Sequence, residues 1–187
     1  MRSEEKTNGH REGGVLKGLA AGIIGGLVAS WVMEEFQAGW TKMSETLSES
    51  PERGSSDHAG EQGEVTQEEA ATVKAAEAIS EGVFGHELTQ SEKEIAGPAV
   101  HYVLGASVGG LYGVVAEVVP EMKIGAGLPF GAVFWLVVDE AAVPLLGLSK
   151  GPTEYPLSTH VYALASHLIY GLTTDVVRRV LRRTILS

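Results

Sequence analysis

Four apolar stretches divide this chain, and their spacing predicts the elements. The first, VLKGLAAGIIGGLVASWVM (15–33), carries no charge between Lys17 and Glu34. The second, IAGPAVHYVLGASVGGLYGVVA (95–116), has no charged residue between Glu94 and Glu117. The third (124–148) is broken only by the adjacent Asp139 and Glu140, and the fourth (155–174) holds His160 and His167. A soluble amphipathic helix of such length keeps a charged face, and the second stretch has none. About 20 residues at a rise of about 1.5 Å span a hydrocarbon core of about 30 Å. The pattern therefore predicts an all-α integral membrane four-helix bundle, with helices at 15–38, 98–119, 124–147 and 157–180. A soluble helical bundle is the alternative, because glycine-rich stretches score poorly as spans. A cleaved signal peptide is the alternative for the first stretch, but it runs on through Trp31–Met33 without an A-x-A site.

Between the first two stretches the composition changes. Residues 40–97 hold thirteen Asp/Glu against Lys42, Arg53, Lys74 and Lys93, a net −9 out of −10 for the 187-residue chain. SESPERGSSDHAGEQGE (48–64) is polar and rich in Gly and Ser, the composition of a flexible loop. Thr66-Gln-Glu-Glu69 is a capping-box pattern opening a short helix near 66–81, and Ser91-Glu-Lys-Glu94 is a second such box. Residues 1–14 read as a polar tail and 39–97 as an acidic extramembrane loop.

Lys and Arg set the orientation. Arg2, Lys6, Arg11 and Lys17 flank the first span, Lys123 sits in the second-to-third turn, and Arg178, Arg179, Arg182 and Arg183 follow the fourth. Four spans put all three groups on the cytoplasmic side, both termini included, and the acidic loop in the periplasm.

Glycine recurs every four residues at Gly18, Gly22 and Gly26, at Gly105, Gly109 and Gly113, and at Gly127 and Gly131. Each set makes a smooth stripe on which another helix can pack closely. Intramolecular packing is the simpler use; a homodimer through one stripe is the other. Pro129 and Pro144 inside the third helix predict kinks whose freed carbonyls need partners.

The orientation predicts one polar layer in the external half. Asp139 and Glu140 fall roughly 5 Å outside the midplane. His101, His160 and His167 lie at comparable depth, with Glu34 and Glu35 near the external end of the first helix. Asp139 and Glu140 point about 100° apart on an α-helix, so at least one must face the interior. Ionisable groups inside a span are functional candidates by default. Carboxylate and imidazole together can pass protons or bind a metal ion, or serve as structural pairs. Histidines on facing helices could also hold haem, although adjacent carboxylates suit a porphyrin pocket poorly. Glu117 and Asp175 form a smaller cytoplasmic-side group, interfacial or salt-bridged across helices.

The chain has no cysteine, which excludes disulfides and thiolate sites. Its acidity argues against nucleic acid as a partner. No P-loop, HExxH or GxSxG pattern is present, so covalent catalysis has no motif, and no cofactor is required.

YGVVAEVVPEMK (112–123), followed by Gly131, Trp135, Pro144, Leu146-Gly147, His160, His167 and Arg178-Arg179, resembles the YagU-like family of bacterial inner-membrane proteins. The resemblance runs over about 98–183 and the glycine-rich first helix. It implies a small polytopic protein of the bacterial inner membrane and no established chemistry. The acidic 39–97 loop and the Asp139-Glu140 pair do not map onto that pattern. The expectation is thus a non-enzymatic membrane protein with an ion or proton site. A structural partner in a membrane complex is the first alternative, and a metal or haem protein the second.

Overall fold

The computed structural model describes residues 2–48 and 71–185, and among these every regular element is helical. Helix α1 is Arg2–Ser48. It runs past both ends of the expected 15–38 span, so residues 2–14 continue the helix and residues 39–48 belong to it, not to the loop. Helix α2 covers 71–79 and closes in a π turn, Ser80–Phe84, that ends on Gly85 with φ 63°. Helix α3 is Gln90–Val118, α4 is Leu128–Leu145 with a π turn at Val138–Ala142, and α5 is Leu157–Thr184. Residues 49–70, with the Thr66 capping pattern, lie outside the described residues.

Local signals explain the ends. Helix α3 is capped by Thr89 and Glu92, two residues before the expected Ser91–Glu94 box. The Thr89 N–H donates to Glu92 Oε2 at 2.7 Å, and the Glu92 N–H donates to Thr89 Oγ1 at 3.4 Å. Helix α4 begins at Leu128 rather than 124, because Gly125, Ala126 and Gly127 all have positive φ. Pro129 therefore occupies the first turn of α4 and breaks no hydrogen bond, so the kink expected there is absent. The α4 C-terminus is a Schellman turn, with Leu148 N–H on the Val143 carbonyl and Gly147 N–H on Pro144.

Among the described residues, three helices are long and apolar enough to cross a membrane: Gly13–Ser44 within α1, Gln90–Val118 and Leu128–Leu145. Helix α5 is one residue shorter than α3 but carries Asp175 and four arginines in its second half, and is not one of the three.

The chain forms two compact units. One comprises residues 1–32, 102–132 and 168–187. Its centre is an antiparallel crossing of the glycine stripes of α1 and α3. A Cβ on Gly22 would lie 2.2 Å from the Gly109 carbonyl oxygen, and one on Gly26 2.3 Å from that of Gly105. A Cβ on Gly113 would lie 2.1 Å from the Gly18 oxygen. Both stripes are consumed inside the chain, the intramolecular use. Gly127 similarly meets Gly171. Tyr112 stacks on Phe130 with ring centroids 4.3 Å apart. The buried Tyr170 hydroxyl donates to the Gly105 carbonyl at 2.5 Å. Tyr170→Phe is expected to cost about 1 kcal/mol. A variant that melts with the parent in detergent would show that this bond adds no net stability.

The other unit comprises residues 33–101 and 133–167. Phe36, Trp40 and Tyr162 form an aromatic cluster, with Trp40 and Tyr162 centroids 5.8 Å apart. Helix α2 rests on α3 where Gly97 makes room for Val73. Lys93 pairs with Glu77 at 2.5 Å, and Lys74 Nζ donates to the Leu148 carbonyl at 3.2 Å.

Candidate functional site

Pro144 is the local cause of the site. It has no N–H to give the carbonyl of Glu140 four residues earlier, and its ring crowds that carbonyl. The helix opens into the π turn Val138–Ala142, and the Val143 N–H reaches back five residues to Val138. This π turn holds Asp139 and Glu140. Such turns recur at functional positions.

Both carboxylates meet imidazoles of α5. Glu140 Oε1 lies 2.6 Å from His160 Nδ1, and Asp139 Oδ2 lies 3.5 Å from His167 Nδ1. The two histidines stand seven residues apart, two turns along one face of α5. Each has a further anchor. His160 Nε2 donates to the Pro152 carbonyl at 3.0 Å, in a 3-10 turn at Pro152–Glu154. His167 Nδ1 lies 2.9 Å from the Ala163 carbonyl, and Phe134 packs its ring against the imidazole, with centroids 5.1 Å apart. The His167 side chain is 5% exposed against 30% for Asp139, and Glu140 16% against 22% for His160, so each pair is half-buried.

The other expected residues fall elsewhere in the same unit. Glu34 and His101 line a groove of about 670 Å³, together with Lys93, Glu94 and Thr72. Glu35 is exposed on α1. The single convergent layer expected from depth alone thus resolves into two His–carboxylate pairs and a groove wall. Among the described residues, no three or more His, Cys, Asp or Glu are grouped to hold a metal ion.

The smaller group is an ionic cluster in the first unit. Asp175 is fully buried, Arg178 is 2% exposed, and they pair at 3.1 Å. Arg179 reaches the other Asp175 oxygen at 2.6 Å. Glu117 of α3 accepts from Arg178 at 3.3 Å and from Arg182 at 2.9 Å. The Glu117 hydrogen bond raises the Arg182 pKa above its ordinary value, so this guanidinium stays charged. The cluster ties α3 to α5 by salt bridges, with Asp175 buried inside it.

Sequence reasoning missed the Pro152 carbonyl, because a backbone acceptor leaves no mark on the pattern. It also missed the π turn, although a proline four residues after Glu140 was the available signal.

A family model described as a protein of unknown function (DUF1440) matches residues 76–176. The inner membrane protein YagU of Escherichia coli (strain K12) is 36% identical over 74 residues, covering 40% of this chain and 36% of that protein. The match therefore spans about a third of the length of that relative. No solved structure matches.

Proposed function

The chain belongs to the DUF1440 family of proteins of unknown function. On that premise we propose that it is a multi-pass protein of the bacterial inner membrane that handles protons or cations. It has four spans, α5 being the fourth, and both termini are cytoplasmic. It is not an enzyme, and its surroundings are lipid.

The membrane assignment is supported by three helices of spanning length and composition, and by a relative that is itself an inner membrane protein. Counting α5 as a span is supported by its 28-residue length and by the arginines that gather at its end. The observation that carries the chemistry is the short Glu140–His160 contact at 2.6 Å beside the Asp139–His167 pair. Carboxylate and imidazole can pass a proton between them, and ionisable groups are costly to keep inside a span without a role or a partner.

In liposomes, the purified protein is expected to dissipate an imposed pH gradient faster than empty vesicles do. Glu140→Gln and Asp139→Asn are expected to return the rate to that of empty vesicles. No flux above empty vesicles for the parent protein would remove the proposal.

The second reading is a structural partner of a membrane complex. It is favoured by the one-to-one matching of carboxylate and imidazole, which satisfies each group without a ligand. Co-purification of a stoichiometric partner, together with absence of flux, would select it.

A further inference from the structure

We infer that the species held by the Glu140–His160 pair is a proton, one per chain, and that its loss releases the Pro152–Glu154 turn. The inference rests on the proton-or-cation reading above and narrows it.

The hydrogen-bond geometry of His160 carries it. A carbonyl oxygen only accepts, so Nε2, 3.0 Å from the Pro152 oxygen, carries a hydrogen. At the other end, Nδ1 stands 2.6 Å from Glu140 Oε1. Two lone pairs cannot face each other at that distance, so a second hydrogen lies between nitrogen and oxygen. The pair therefore holds one proton more than a neutral imidazole and a carboxylate. His167 differs. Its contacts with Ala163 and Asp139 both use Nδ1, and a single N–H of the neutral ring serves them.

The same distance disfavours a metal ion. Nitrogen and oxygen ligands at about 2.1 Å from a tetrahedral or octahedral ion stand roughly 3 Å or more from each other. The observed separation is shorter and leaves space for a hydrogen alone.

Release follows from donor arithmetic. The Nδ1–H bond breaks, its electron pair stays on nitrogen, and the proton leaves to water. Rebinding forms that bond again from hydronium. The neutral ring then has one N–H for two acceptors. The carboxylate is the stronger acceptor, so the remaining hydrogen moves to the Glu140 side, and the Pro152 carbonyl loses its imidazole donor and keeps the longer 3.4 Å bond from the Tyr155 N–H. The other bonds of the turn are local to residues 150–155. Glu154 N–H donates to Gly151, Gly151 N–H donates to the Glu154 carboxylate, and Lys150 N–H donates to the Tyr155 hydroxyl. His160 is what ties this turn to α5.

The charged groups around His160 are few. Helix α4 presents Glu140, with Asp139 beside it directed to His167. The turn contributes Glu154, occupied by Gly151, and Lys150, which is exposed. The shared hydrogen of the Glu140–His160 pair therefore governs the contact.

The test is hydrogen exchange at the Glu154 and Tyr155 amides, as protection factors across pH, in the full chain in lipid nanodiscs. The parent is expected to lose about tenfold or more in protection as rising pH strips the shared hydrogen from the pair. Glu140→Gln should hold high protection at every pH, because its amide donates to Nδ1 and leaves Nε2–H on Pro152. His160→Gln should show low protection throughout. If His160→Gln does not fold, the near-isosteric Glu140→Gln carries the test alone. Protection in the parent that ignores pH, or Glu140→Gln behaving as the parent, overturns the inference. Flux measured in parallel separates the two claims. Flux with pH-independent protection overturns the release step and leaves ion handling standing. pH-dependent protection without flux supports the proton site and overturns transport.

Discussion

Gly109→Ala is expected to destabilise the protein by about 3 kcal/mol or more, although alanine is the better helix former. The added methyl would sit 2.6 Å from the Gly22 carbonyl oxygen and 2.7 Å from the Gly26 Cα. Both are backbone atoms, so no side chain can swing aside. The helices would have to separate, and the dispersion contacts along the whole crossing would weaken with them. Gly39→Ala is the matched control. It lies on α1 with nothing within 4 Å of its added Cβ, and is expected to be neutral or stabilising by up to about 1 kcal/mol. Thermal unfolding of both variants in detergent decides the matter. Equal melting of Gly109→Ala and the parent would mean that the α1–α3 contact is not a backbone-to-backbone crossing.

Removing the buried carboxylate at the foot of α5 is the second large effect. Asp175→Ala should cost about 3–5 kcal/mol, because it strands the buried Arg178 and leaves Arg179 to the Lys123 carbonyl. Glu117 softens the loss only in part, since its 3.3 Å contact with Arg178 is the longer one. Arg183→Ala, at an exposed position of the same helix, should change stability by less than about 0.5 kcal/mol. Similar melting of Asp175→Ala and Arg183→Ala would show that the cluster is solvated rather than buried.

Much of the architecture can be read from the chain alone. The charge-free stretch 95–116 becomes most of α3, and the fourth apolar stretch becomes the first two-thirds of α5. The run from Lys17 to Glu34 lies inside α1. Element ends were less legible. The α3 cap moved to Thr89 because Glu92 could reach that residue's N–H and hydroxyl together. The α4 start moved to Leu128 because three successive residues took positive φ.

The site divides along the same line. Asp139, Glu140, His160 and His167 stand out in the sequence because ionisable groups in apolar runs are expensive. Their partners do not. An imidazole two helical turns from another shares its face, but which carboxylate each meets depends on the rotation of α4. That rotation changes inside the π turn forced by Pro144.

The sequence by itself determined that this is an all-helical protein with long apolar helices, glycine stripes at four-residue spacing and titratable groups within them. These follow from hydropathy and periodicity, which are local. The tertiary structure alone decided that Gly18, Gly22 and Gly26 face Gly113, Gly109 and Gly105, that Glu140 meets His160 while Asp139 meets His167, and that Asp175 is sealed among arginines. These contacts join residues distant in the chain. Each depends on the relative rotation and crossing of two helices, which no short-range pattern encodes.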